Sequence, residues 1–198
     1  MIDFQELKLI RKMSAGDQEA FAELYSRFGS RLLSYALRIT GNRAEAEDLL
    51  QDTLFSAWQG RDSFRGRAKL LSWLLGIMSR RWRDRLRRQK IPIVSLTHEE
   101  GGDEITLPTS NSDSLESGVV DRITLDTALG ELELPFREAL LLIHSQRLTY
   151  REAAEVLNEP IGTVKWRVSV ALRIVRLQLT EAEEELNGMQ QTATRGVC

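Results

Sequence analysis

The sequence predicts an all-α protein built as two small helical domains joined by a flexible acidic linker. Apolar residues recur at three- and four-residue spacing from about 5 to 90, and again from about 119 to 186, which is the period of an amphipathic helix. No useful length alternates with the period of two that a half-buried strand requires. Between the helical stretches, residues 97–117 are acidic, rich in Ser, Thr and Gly, and nearly free of aromatics, a composition that buries too little apolar surface to fold. A chain of 198 residues with 42% hydrophobic and 28% charged side chains suits one or two ordinary cores.

The elements follow in order. Ala20, Phe21, Leu24, Tyr25 and Phe28 share a helical face that continues through Leu32, Leu33, Ala36 and Leu37. Gly41-Asn42 is a stop and turn signal. A helix over 44–58 begins with Glu45, Glu47 and Asp48 in its first turns, where carboxylates suit the helix dipole. Residues 60–66 read as a loop, and 69–88 as a helix whose apolar part is Leu70, Leu71, Trp73, Leu74, Ile77 and Met78. These elements form a first domain over 5–90; an acidic linker covers 91–121, a second helical domain 122–180, and a disordered tail 187–198.

Charge is distributed in blocks beneath a net charge of −2. Residues 61–90 carry 11 basic and 2 acidic groups, whereas 91–121 carry 7 acidic groups and no Lys or Arg. Such blocks point to separate electrostatic tasks, and a near-neutral total does not argue against a nucleic-acid partner, because local patches set that interaction. They also suggest that the acidic linker or tail masks the basic 80–90 face. One cysteine, Cys198, leaves no internal disulfide framework or Cys-based zinc site, and two histidines, His98 and His144, make no metal cluster. No cofactor is expected. The longest mostly apolar stretch, 70–78, falls short of the ~20 residues needed to span a bilayer, and the N-terminus lacks the pattern of a secretion signal. The expected compartment is the cytosol.

Three surfaces carry candidate function. In the second domain, Thr149 and Glu152 fit a capping box. Ala153, Ala154 and Leu157 give a short helix with small inner residues, Asn158 suits a left-handed helix end, and 159–162 supply a turn before helical spacing resumes at Thr163. Two helices joined in this way match the helix-turn-helix motif, whose second helix enters the major groove; the plainer alternative is a helical hairpin packed in a core. The second helix presents Thr163, Lys165, Trp166, Arg167 and Ser169, types that contact phosphates or base edges. In the first domain, Arg80, Arg81, Arg83, Arg85, Arg87, Arg88 and Lys90 crowd one helix end, with Phe64, Trp73 and Trp82 nearby. Arginine forks suit phosphates, and aromatics beside a basic groove suit unstacked single-stranded bases, although Trp73 also fits a core position. Asp48, Gln51 and Asp52 form a polar edge within about one turn, either a solvated face or a docking edge for a basic protein partner.

These residues resemble the extracytoplasmic-function family of bacterial RNA polymerase sigma factors. The resemblance is carried in family order by 16–21 (GDQEAF), 46–54 (AEDLLQDTL), 62–66 (DSFRG) with Ser72-Trp73-Leu74, 134–139 (LPFREA), and 148–157 (LTYREAAEVL) followed by 160–165 (PIGTVK). It spans roughly 14–178. It implies a non-enzymatic initiation factor that binds core RNA polymerase and promoter DNA. By that likeness Asp48, Gln51 and Asp52 dock the polymerase clamp helices. Phe64 and its loop, including Arg65, help capture a flipped base of the −10 element, and Arg80, Arg83, Arg87 and Arg88 hold the melted strand. Thr163, Lys165, Trp166, Arg167, Ser169 and Val170 face the −35 element, and the linker threads toward the active-site and RNA-exit channels. The family is commonly held inactive by an anti-sigma protein, often membrane-bound.

The chain departs from the family pattern where Arg80 replaces a frequent Asn, Trp166 a usual Ser, and Val170 a basic residue, so the promoter sequence does not carry over. Trp166 either reads DNA by apolar contact, for instance with thymine methyls, or packs inside. A free-standing helix-turn-helix regulator is the competing class; it needs dimer contacts and palindromic sites and leaves the basic first domain without a role. A nuclease lacks the clustered carboxylates or nucleophile arrangement it requires.

Overall fold

The computed structural model describes residues 4–64, 66, 68–89 and 119–195, with side chains for all of these except 4, 119–124 and 181–195. The expectations placed on Arg65, Lys90, the 91–118 part of the linker and Cys198 lie outside the described residues, as do the side chains of the 181–185 acidic run.

Among the described residues eight α-helices run in order: α1 Phe4–Ser14, α2 Gln18–Thr40, α3 Arg43–Gln59, α4 Leu70–Arg88, α5 Val119–Glu131, α6 Leu134–Leu140, α7 Tyr150–Leu157 and α8 Ile161–Arg195. A 3-10 turn at Arg61–Ser63 precedes α4, and a π turn at Leu141–Ser145 extends α6. No strand occurs among the described residues.

Local chemistry explains the boundaries. Asp17 caps α2 by accepting the Glu19 N–H at 2.9 Å, and Asn42 caps α3 by accepting that of Glu45 at 3.2 Å, satisfying amides that have no partner inside the helix. Gly41 ends α2 at φ 70, a left-handed geometry that costs glycine little. The Thr149–Glu152 capping box is formed in both directions, and Asn158 closes α7 at φ 55 and ψ 49.

α1–α4 enclose Leu24, Leu32, Leu49, Leu70, Leu74 and Met78, each fully buried. In the second group α6, α7 and α8 pack through Phe136, Leu142, Val156, Val164 and Val168. Ala153 is the small residue buried between the motif's helices, while Ala154 is only half-buried beside the open turn.

The two helical domains are in contact: α4 packs against α7, and α2 against α5 and α6, within one continuous buried cluster. One expectation is corrected. Trp82 does not belong to the basic face but is 4% exposed within the core, because it continues the Leu71, Leu75, Met78 side of α4. The α8 backbone is helical to Arg195, and residues 196–198 lie outside the described residues.

Candidate nucleic-acid interface

α3 lines up an acidic edge. Asp48, Gln51 and Asp52 are all exposed, and Asp52 Oδ2 accepts from Arg85 of α4 at 3.1 Å. Phe55, 60% exposed, lies on the same edge, since 48, 51, 52 and 55 follow helical spacing. The sequence reading missed it, and that spacing was the available signal. Phe21 and Tyr25 of α2 are exposed as well, and Phe21 meets Trp58 edge-on with ring centroids 5.9 Å apart. The edge therefore combines carboxylates with uncovered aromatic surface, a pairing suited to a basic, partly apolar protein partner.

The loop ahead of α4 is held by aromatic packing. Phe64 follows the 3-10 turn and lies half-buried on Trp73, with centroids 4.9 Å apart and planes tilted 44°. Arg61 sits over the Trp58 ring at 5.0 Å and donates to the Trp58 carbonyl at 2.9 Å. Among the arginines of α4, Arg80, Arg81, Arg87 and Arg88 are exposed, and Arg87 is 3.3 Å from Asp84. Arg83 is set apart: its guanidinium lies 3.4 Å from Glu138 of α6 and donates to the Leu157 carbonyl at 3.3 Å. The predicted residues thus separate into an open set and one covered by the second helical group.

α8 divides similarly. Lys165 is exposed, and Thr163, Ser169 and Val170 are half-exposed along the helix. Trp166 packs on Phe136 with centroids 5.4 Å apart and planes tilted 56°. Arg167 is a correction: only 8% exposed, it pairs with Glu159 at 3.0 Å instead of standing on the polar face. The reason is helical register, because 167 lies beside the buried Val164, Val168 and Ala171 stripe. Lys69 pairs with Glu152 of the capping box at 2.9 Å. Burial pushes the Glu152 carboxyl up, but the Thr149 N–H and hydroxyl and the Lys69 ammonium together hold it below the ordinary glutamate range. No group of three or more His, Cys, Asp or Glu side chains that could hold a metal ion occurs among the described residues.

An arginine-bearing helix beside a helix-turn-helix, with no strand among the described residues, defines the class: a helical protein with two surfaces suited to nucleic acid. The sequence comparisons carry this to a family. Sigma-70 region 2 matches residues 24–91. The chain is 31% identical over 183 residues to the ECF RNA polymerase sigma factor SigW of Bacillus subtilis, covering 88% of this chain and 96% of that protein. It is 31% identical over 173 residues to SigM of Mycobacterium tuberculosis, covering 87% of this chain and 84% of that one. Among solved structures, the sigma factor RpoE in complex with the anti-sigma factor NepR from Bartonella quintana matches with a TM-score of 0.64 and 28% identity, over 81% of this chain and 96% of that chain. The chain belongs to the extracytoplasmic-function (ECF) RNA polymerase sigma factors.

Proposed function

We propose that this chain is a promoter-specificity subunit: it binds bacterial core RNA polymerase and directs it to promoters through a −10 and a −35 element. The observation that carries this reading is the presence, on one chain, of exposed arginines along α4 and a capped helix-turn-helix in α7–α8. In this reading residues 5–90 form the docking and melting domain, 91–121 the acidic linker, and 122–180 the −35 domain. Asp48, Gln51 and Asp52, joined by Phe55, meet the polymerase. Phe64, with Arg65, captures a flipped base while Arg80, Arg83, Arg87 and Arg88 hold the strand. Thr163, Lys165, Ser169 and Val170 face the −35 element.

The energetics fit such a division. Unstacking costs on the order of a few kcal/mol per step, and stacking on an aromatic side chain returns about 1–3 kcal/mol per base. One capture site therefore biases melting when polymerase supplies the remaining grip. The protein has no catalytic role of its own in this scheme and works in the cytoplasm, where an anti-sigma protein binds it; the relative bound to NepR motivates that partner. No helix among the described residues is long and apolar enough to cross a membrane.

Co-elution with core polymerase followed by run-off transcription tests the proposal. Promoter-dependent transcripts are expected. Tight binding to a palindrome without polymerase, and no co-elution, refutes it in favour of a free-standing regulator.

A further inference from the structure

The turn of the helix-turn-helix is braced by a side-chain fork. Asn158 ends α7 in the left-handed region at φ 55. The next amide, Glu159 N–H, bonds back to the Ala154 carbonyl at 3.0 Å, so the Glu159 backbone is fixed to the end of α7. Its side chain reaches forward to α8. Oε1 lies 3.0 Å from Arg167 Nη1, and Oε2 accepts from Arg167 Nη2 at 3.1 Å. Ahead of the buried Val164, packing holds the start of α8 only loosely: Ile161 is 45% exposed, and a methyl group at Gly162 would meet nothing within 4 Å. Arg167 is 8% exposed, whereas Lys165, Ser169 and Val170 of the same helix reach the surface.

A bidentate arginine–carboxylate pair fixes the relative orientation of the segments it joins, which a single-point ammonium contact does not. A largely desolvated pair adds little net stability, yet it can enforce one arrangement over close alternatives. Here the arrangement is the angle between the end of α7 and α8. Base reading is sensitive to that angle, because hydrogen bonds weaken steeply as they depart from linearity.

We propose that Glu159 and Arg167 are positioning residues for −35 recognition: neither meets a base, and their fork sets the angle at which α8 presents Lys165, Ser169 and Val170. The role in DNA reading rests on the function proposed above; the brace itself does not.

Two measurements on the full chain test this. Thermal unfolding of the free chain compares Glu159→Gln, Arg167→Met and the double variant. Removing one partner strands the other in a covered site, whereas removing both does not, so the double variant should lose less Tm than the two single variants added together. Strictly additive losses overturn the brace. Holoenzyme reconstituted with each chain is then titrated against the −35 sequence that wild type selects and against its single-base variants. With Glu159→Gln the preference for the selected sequence should fall at least about fivefold, the scale of one specific base contact, while core binding is unchanged. Arg167→Lys, which keeps the charge but loses the fork, should shift the preference in the same direction, and serves if the first variant loses helicity by circular dichroism. An affinity that changes equally for every −35 sequence, or a wild-type preference in the folded variants, overturns the positioning role. Failure of the wild-type chain to co-elute with core polymerase refutes the functional reading and the positioning role with it, and the thermal comparison still decides the brace.

Discussion

Replacing Trp166 separates packing from reading. In the structure its ring lies half-buried on Phe136, itself 6% exposed, at a centroid distance of 5.4 Å. Truncating a fully buried Trp to Ala costs about 3–5 kcal/mol, and the aromatic pair accounts for about 0.5–1.5 kcal/mol beyond area burial. For a half-buried ring, Trp166→Ser should then cost about 2 kcal/mol. A chain of this size loses about 2–4 °C in Tm per kcal/mol, so the expected drop is about 4–8 °C. Trp166→Phe keeps a ring against Phe136 and should recover most of it. Thermal unfolding by circular dichroism gives the shift, and selection from a randomised −35 library with reconstituted holoenzyme gives the preference. A Tm within about 1 °C of wild type together with a rewritten −35 preference would refute the packing argument and make Trp166 a reading residue.

Other predictions follow from the same geometry. Thr149→Ala removes the capping-box hydroxyl that serves the Glu152 amide and should destabilise the helix-turn-helix by about 0.5–2 kcal/mol in chemical denaturation; an unchanged midpoint would mean the cap is redundant. Burial raises the Glu138 carboxyl above its usual range, against the pull of Arg83 from α4, Ser79, Arg167 from α8 and Tyr35 from α2. A raised folded-state value means stability fully present below the ordinary value near about 4.3 and lost as pH rises through the folded value. The Tm advantage of wild type over Glu138→Gln should therefore shrink as pH climbs from that point, and an advantage that grows instead contradicts the assignment. Asp48→Arg reverses an exposed charge and should weaken core-polymerase binding at least about tenfold with helicity intact, a loss of about 1.4 kcal/mol; undiminished affinity in a titration would remove α3 from the docking surface. Arg80→Ala and Arg88→Ala should each lower the salt dependence of holoenzyme binding to a forked promoter by about 0.7 in log–log slope for a single-strand phosphate contact, and an unaltered slope would exclude that residue from the strand-holding set.

The helices and their caps were legible because each rests on neighbours in the chain. Thr149 with Glu152, Asn158 and Gly41-Asn42 act over a few residues, and the structure forms them as read. Part of the candidate site was legible for the same reason: helical spacing alone places Asp48, Gln51 and Asp52 on one edge, and would also have placed Phe55. Arg167 and Trp82 were misplaced because the polar or charged neighbours around them suggested a surface, whereas which side of a helix is covered depends on the elements packed against it. Arg83 reads like any other arginine of its run until Glu138, 55 positions later, is brought beside it.

Local periodicity, capping chemistry and charge blocks, properties a segment carries with it, were enough to determine an all-helical chain with a helix-turn-helix and an arginine-rich helix. The tertiary structure alone decided that the two helical groups close on each other, that Arg83 is covered while Arg80, Arg87 and Arg88 remain exposed, and that Trp166 packs on Phe136. Those outcomes depend on desolvation and on contacts between residues remote in sequence, for which the chain's local pattern holds no record.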